Sequence, residues 1–303
     1  MSGKGSAPAD LAPRRWRSLL FMPMSSERFL AKVHTYGADA IVLDLEDSVA
    51  PAEKPRARQR LAAAVDRLAA ERANVMVRIN RPWPLAAADL TAAVRANVQA
   101  IILPKVPSAG HLAAVAEFVG DLEREARLPG PPMALIPIVE SPEALDDLPG
   151  LARASRRIAA LTFGAEDLSA ALGVPPDSPA VAAAGHAVAL AARSAGLTPL
   201  GLIGSVAGYT DLEAFRDLVR RSRACGYRGS GAIHPSQVPV LNEEFSPSSA
   251  EITRAKRIVA AYDTAVAAGQ GAVGVDGAMV DAPVAERARA VLRLAGALSE
   301  NER

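Results

Sequence analysis

Apolar residues along this chain gather in short runs. The runs are SLLFMP (18–23), AIVLDLE (40–46), NVMVRIN (74–80), AIILPKV (100–106), MALIPIVE (133–140), AALTFGAED (159–167), PLGLIGSV (199–206) and SGAIHP (230–235). Each has the length of a β-strand, and nearly all are apolar throughout instead of alternating. Unbroken apolar strands belong in a parallel sheet covered on both faces. Between them lie Ala-, Leu-, Arg- and Glu-rich stretches with helical spacing. RLAAAVDRLAAERA (60–73) is one; AAAGHAVALAARSAG (182–196), closed by a glycine suited to a helix C-cap, is another. Eight such β/α units predict an α/β fold, a closed (β/α)8 TIM barrel. A doubly wound open sheet would usually carry a Gly-rich turn after its first strand, and MPMSSER is not one.

The pattern changes after residue 245. SPSSAEITRAKRIVAAYDTAVAAG opens on a Ser/Glu capping signal and continues as an amphipathic helix. QGAVGVDGAMVDAP is a Gly-broken excursion, and VAERARAVLRLAGAL reads as a last helix. The predicted division is a loose tail over 1–14, a barrel over 15–245, and a C-terminal lid or oligomerisation segment over 246–303.

Composition adds mainly exclusions. Of the 303 residues 50% are hydrophobic but only 4% aromatic, so the core must be built of Ala, Leu, Val and Ile. A net charge of +1 gives no global field toward nucleic acid or an anionic membrane. No run approaches the roughly 18 apolar residues of a membrane span. The N-terminal MSGKGSAPADLAPRRWR lacks a secretory h-region, and the protein is expected to be cytoplasmic. The single cysteine, Cys225, excludes an internal disulfide and a thiolate metal site; it reads as a small buried hydrophobe.

Active sites of such barrels lie at the C-terminal ends of the strands. Those ends carry Glu46 and Asp47, Arg78 and Asn80, Lys105, Glu140, Glu166 and Asp167, and His234. Carboxylates crowded on one rim cannot all stay ionised without compensation. Arg78 and Lys105 compensate in part. A hard cation would do the rest, since Mg2+ uses one or two carboxylates and leaves its other positions to water or substrate. Glu140 and Asp167 stand one β/α unit apart and suit that role, but the spacing equally fits strand-end solvation or helix caps. His234 reads as a hydrogen-bonded structural group, with a catalytic base as the alternative. Asp44 reads as a brace, and Lys105 as a substrate ligand or a partner of Glu46 or Asp47. Arg28 and Lys32, and Lys54, Arg56 and Arg58, are a solvated face unless they cluster at the barrel mouth, where they would hold phosphates.

The motifs RSLLFMPMSSERFLAK, ADAIVLDLEDSVAPAEKPRAR, VRIN, ILPKV, IPIVES, LTFGAEDLSAALG, GYRGSGAIHPSQV, FSPSSAEI and VDGAMVDAP occur in that order. Together they resemble the citrate lyase β-subunit-like family, over about residues 17–295. The resemblance implies a Mg2+-dependent barrel of the phosphoenolpyruvate/pyruvate type with a C-terminal lid, assembled as a homotrimer or homohexamer. It implies a carbon–carbon lyase that cleaves or forms a hydroxyacyl-CoA thioester, such as citramalyl-CoA or malyl-CoA, with a 2-oxo acid as the other product. Carried over by motif, Glu140 and Asp167 resemble the metal ligands, and Arg78 the arginine on the substrate oxygens. Glu46 and Asp47 match a motif beside the metal and its waters. Phe21, Arg28 and Lys32 fall where CoA or acid is contacted, and Ile203 and Gly204 where the acid pocket lies. Asp281 matches a lid aspartate acting as acid/base, which in related lyases reaches a neighbouring subunit.

The chain departs from the family pattern in three places, one of which, Val139-Glu140-Ser141 where Ile-Glu-Thr is common, retains the glutamate. Met22-Pro23-Met24 stands where Val-Pro-Gly is common. Ile203-Gly204-Ser205-Val206 stands where Ile-Asp-x-Val is common, which puts the substrate in question but not the metal pair. The other readings are an aldolase of free hydroxy-oxo acids, a citryl-thioester lyase subunit, and a non-catalytic thioester-binding paralogue.

Overall fold

Alternation along each strand splits the core into an inner and an outer layer. In the computed structural model, which describes residues 16–300, the strands are β1 (Ser18–Pro23), β2 (Ala40–Asp44), β3 (Val75–Arg78), β4 (Ala100–Leu103), β5 (Ala134–Val139), β6 (Ala160–Phe163), β7 (Thr198–Gly201) and β8 (Ser230–Ala232). The tail expected over 1–14 lies outside the described residues. Side chains such as Leu20, Ile41, Leu43, Val77, Ile101 and Leu161 face outward into the layer shared with the helices. Leu19, Val42, Met76, Ile102, Ile136 and Leu200 face inward, over a lower ring of Ala40, Ala100, Ala134 and Ala160. Both faces of each strand are therefore buried, which is why the runs lack polar alternation.

All neighbours pair in parallel, in the order β7-β6-β5-β4-β3-β2-β1-β8. The ring closes between β7 and β8 through one bridge, Leu200 to Gly229. There the Gly201 amide donates to the Gly229 carbonyl at 2.8 Å and the Arg228 amide to the Pro199 carbonyl at 2.9 Å. The (β/α)8 barrel expected from the pattern is the fold observed.

Several strands end earlier than their apolar runs. β2 stops at Asp44, β6 at Phe163 and β7 at Gly201. Leu45, Ile79, Leu202 and Ile203 continue the apolar pattern but are buried in rim loops. Glu166 and Asp167, expected at a strand end, instead occupy the first turn of the helix Ala165–Leu172. Negative charge is favourable there, facing the exposed amides of the helix N-terminus.

The chain divides into two compact units between Phe245 and Ser246. The second begins with the helix Ser249–Ala267, entered through a capping box. The Ser248 hydroxyl accepts the Glu251 amide, and the Glu251 carboxylate accepts the Ser248 amide. The stretch read as a Gly-broken excursion is an antiparallel hairpin, β9 (Val273–Val275) with β10 (Ala278–Val280). Its turn residues, Asp276 and Gly277, have φ of 52° and 77°, the left-handed pair that a tight two-residue hairpin needs. The helix Ala282–Glu300 follows. Among the described residues, no helix is long and apolar enough to cross a membrane.

Candidate active site

A cavity of about 300 Å³ opens at the C-terminal end of the barrel. Asp44, Arg78, Glu140 and Asp167 line it from the second, third, fifth and sixth β/α units. Phe21, Gly164 and Gly204 line it as well.

Glu140 follows β5 directly and is 5% exposed. The Lys105 amide donates to its Oε1 at 2.5 Å. That contact uses a left-handed backbone at Lys105, φ 50°, a conformation an L-residue adopts at a cost of about 1 kcal/mol. Burial, then the facing charges of Asp167 and Glu46, push the Glu140 carboxyl up to about 8, against the opposing Lys105 amide. Gly164, two residues after Thr162 on the next strand, makes room for this group. A Cβ at Gly164 would lie 2.6 Å from Glu140 Oε2 and 2.7 Å from its Cβ.

Arg78 ends β3. Its Nε and Nη2 donate to the two carboxylate oxygens of Asp44, each at 2.7 Å. Nη1 stands 3.1 Å from Glu46 Oε2, too poorly aligned to satisfy that buried oxygen with a hydrogen bond. The guanidinium lies over the Phe21 ring, 5.1 Å from its centroid. Burial by itself would raise the Asp44 carboxyl. The Arg78 guanidinium, the Ser48 hydroxyl and the Glu46 amide outweigh it and hold Asp44 below the ordinary carboxylate range. Glu46 goes the other way, raised by burial that Arg78 and Lys105 only partly offset.

Glu46 and Asp47 do not line the cavity. The positive charge facing them is Lys105, whose Nζ lies 2.8 Å from Glu46 and 3.3 Å from Asp47, together with Arg78. The brace beneath this rim was not foreseen. Lys54 turns inward and donates to the Leu45 and Glu46 carbonyls at 3.0 and 2.7 Å and to Asn80 Oδ1 at 2.6 Å. Asn80 in turn donates to the fully buried Asp89, which also takes the Arg58 guanidinium at 2.6 Å. Of the basic trio after β2 only Arg56 is exposed. The signal was present: Asp89 is a lone acid in the apolar face of the helix Trp83–Arg95, and such an acid needs a partner.

Three further expectations are corrected, for Ile203, for Arg28 with Lys32, and for Cys225. Ile203 packs beside Gly185, its Cγ2 3.2 Å from where a Cβ there would lie, and does not line the cavity. Arg28 and Lys32 are exposed beside the short helix Glu27–Leu30 and do not line the cavity. Cys225 is half-buried, with its Sγ 3.0 Å from His186 Nε2, and burial raises the thiol. His234 is exposed; its Nδ1 lies 2.7 Å from the Ser236 hydroxyl, and its ring stacks on Tyr209. That is the bonding of a structural group. At the Met22-Pro23-Met24 departure, the turn closes through the Ser26 amide on the Pro23 carbonyl, with Met24 buried.

Among the described residues no three His, Cys, Asp or Glu side chains converge as a metal cluster. The available donors are the two carboxylates of Glu140 and Asp167. A buried carboxyl forced up by a second acid is held in its ionised form by a cation placed between them. Two carboxylates with open space in front suit Mg2+ better than a softer metal. Asp281 belongs to the second unit. There its Oδ1 accepts the Val284 amide at 3.2 Å, at the start of the last helix.

A closed parallel barrel with paired acids and an arginine around a pocket at its C-terminal face is an enzyme architecture of the metal-assisted kind. Residues 17–235 match the family described as HpcH/HpaI aldolase/citrate lyase, and the chain belongs to that family. It is 33% identical to the L-malyl-CoA/beta-methylmalyl-CoA lyase of Cereibacter sphaeroides, over 93% of this chain and 95% of that one. To the (3S)-malyl-CoA thioesterase of the same species it is 36% identical, over 88% and 90%. A crystal structure of the Mycobacterium tuberculosis protein CitE with magnesium, acetoacetate and coenzyme A superimposes with a TM-score of 0.73. It is 30% identical, over 92% of this chain and 97% of that one.

Proposed function

We propose that this protein is a Mg2+-dependent carbon–carbon lyase that cleaves, or forms, a hydroxyacyl-CoA thioester. The observation that carries the reading is the cavity in which Glu140, Asp167 and Arg78 converge, in a chain of this family. Glu140 and Asp167 would hold the cation, which supplies positive charge to the hydroxyl and carboxylate oxygens of the substrate. In cleavage the hydroxyl loses its proton and its carbon becomes the carbonyl of a 2-oxo acid. The electron pair of the broken C–C bond passes to the α-carbon of the acyl-CoA and on to the thioester oxygen. Asp44 fixes the Arg78 guanidinium and leaves Nη protons to face that developing charge. Asp281 returns a proton to the α-carbon, and in the reverse direction removes it. Phe21 walls the entrance beneath Arg78.

The reading takes the protein as cytoplasmic. It takes the second unit as a lid in a homotrimer or homohexamer, which brings Asp281 to a neighbouring barrel. A citryl substrate is disfavoured, because its additional carboxylate needs a second cation and the cavity offers one basic side chain, Arg78. One rival is specific. The 36% identity to a malyl-CoA thioesterase favours hydrolysis of the thioester after, or instead of, cleavage. Incubating the protein with malyl-, citramalyl- and β-methylmalyl-CoA, with Mg2+ and with EDTA, separates the two. Lyase action releases a 2-oxo acid with the acyl-CoA intact, and EDTA stops it. Release of free CoA thiol without 2-oxo acid establishes the thioesterase instead.

A further inference from the structure

The rim just described covers only the top of the cavity. One pleat deeper, the lining is Leu19, Ile102, Ile138, Thr162, Leu200 and Gly231. The layering follows from the two-residue period of a strand. Leu19 lies below Phe21, Ile138 below Glu140 and Thr162 below Gly164. Val42 and Met76, in the same inner layer on β2 and β3, do not line the cavity. Rim and floor together enclose about 300 Å³, the volume of roughly ten waters, of which a cation with the carboxylate and hydroxyl of a substrate would take the upper part. The cavity walls are mostly hydrocarbon. Thr162 and Ser230 contribute hydroxyls, but among the described residues lining it the one basic group is Arg78, already bound to Asp44 on two donors. The loop beyond β7 borders the cavity with the backbone of Gly204, whose Cβ position faces Leu218, 3.1 Å away.

We infer that this floor selects a hydroxyacyl thioester with a single carboxylate and an aliphatic branch longer than methyl, which occupies the space above Leu19, Ile102 and Leu200. The inference rests on the lyase reading for the placement of the carboxylate at the Glu140 and Asp167 rim. A charged group at the floor would have no counterion, and a methyl group would leave much of the space unfilled. The branch comes either from the 2-oxo acid half or from the acyl-CoA half of the substrate. Both present the same hydrocarbon to the same floor.

The test runs the full-length protein in the condensation direction with Mg2+. One series pairs acetyl-CoA with glyoxylate, pyruvate, 2-oxobutanoate and 2-oxopentanoate. The other pairs glyoxylate with acetyl-, propionyl- and butanoyl-CoA. In one series kcat/KM should rise with chain length, by about tenfold for a methylene that fills the floor, and which series rises identifies the source of the branch. The Leu200→Phe variant, and Ile102→Phe from the opposite wall if the first does not fold, should lower the long-to-short ratio of kcat/KM by a similar factor. Calorimetric binding of the same 2-oxo acids in the presence of Mg2+ gives a readout that needs no turnover. Binding that tightens with length in a protein that makes no product would retain the floor and sink the lyase. If glyoxylate with acetyl-CoA is the best pair, kcat/KM falls along both series and the variants leave the ratio unchanged, the floor inference is overturned while the lyase stands.

Discussion

Asp44 is nearly inaccessible and holds the Nε–Nη2 edge of the Arg78 guanidinium. Replacing it with asparagine removes the anion that takes two Arg78 donors and leaves the cation to Glu46 and Asp47, a loss of about 2 kcal/mol for a charge-assisted pair. The Asp44→Asn variant should therefore unfold at lower denaturant and lose activity with Arg78 intact. The pH dependence follows from the direction of the shift. The folded carboxyl sits below its unfolded value, so its stabilisation is complete above the unfolded pKa and fades as pH falls through the folded one. The variant should lack that acid limb; denaturation curves from pH 6 to pH 3 that keep it would show that another group is responsible. Glu140→Gln keeps size and removes charge. Mg2+ affinity, measured by calorimetry, should fall by at least about tenfold. An unchanged affinity would mean that the pair with Asp167 is not the metal site. The sequence placed Arg78, Glu140 and Asp167 near one rim, because each follows an apolar run, and read Asp44 as a brace. What it could not show is which pairs with which. Asp44 with Arg78, and Glu46 with Lys105, depend on the register of β2 with β3 and on the left-handed turn at Lys105.

At the scale of elements, the junction between β6 and the helix Ala165–Leu172 does the most for the site. It supplies Asp167 from a helix start and clears space for Glu140 with Gly164. A Gly164→Ala change adds a Cβ within 2.7 Å of Glu140 on the barrel side. The carboxylate and the Glu140 Cβ must both shift, so Mg2+ affinity should drop and the unfolding midpoint fall by the equivalent of about 1–3 kcal/mol, while the far-UV spectrum stays close to the parent. Unaltered Mg2+ binding would show that Glu140 relaxes freely and that the glycine has no bearing on the metal. The eight strands were legible because a strand buried on both faces writes itself as an unbroken apolar run. Their ends were not, since Leu45, Ile79 and Leu202 are as apolar as the strands they follow. The hairpin β9–β10 was missed for the opposite reason. Its strands are three residues each, too short for periodicity, and only the Asp276-Gly277 dipeptide marked it.

For the whole molecule, the proposed chemistry is divided between two units that meet at Phe245 and Ser246 along the chain. Glu140 and Asp167 belong to the first and Asp281 to the second. If each second unit serves a neighbouring barrel, every active site takes its metal carboxylates from one protomer and its proton donor from another. Two inactive variants then complement each other. Glu140→Gln has a disabled barrel and an intact lid; Asp281→Ala has the converse. In a trimeric ring that contains both variants, whether two to one or one to two, one of the three sites combines an intact barrel with a neighbour's Asp281, so about a third of wild-type activity should return for a closed ring with heterologous contacts. If Asp281 acts within its own protomer, every site in the mixture lacks one of the two groups and no activity returns. The mixture must be co-expressed with distinct tags and isolated through both, so that only hetero-oligomers are assayed. A monomeric mass by light scattering would end the shared-site proposal before any mixing. Retained turnover in Asp281→Ala alone would move the proton donor elsewhere, and Glu166, which lines the cavity and accepts the Ser205 hydroxyl, is the residue to test next.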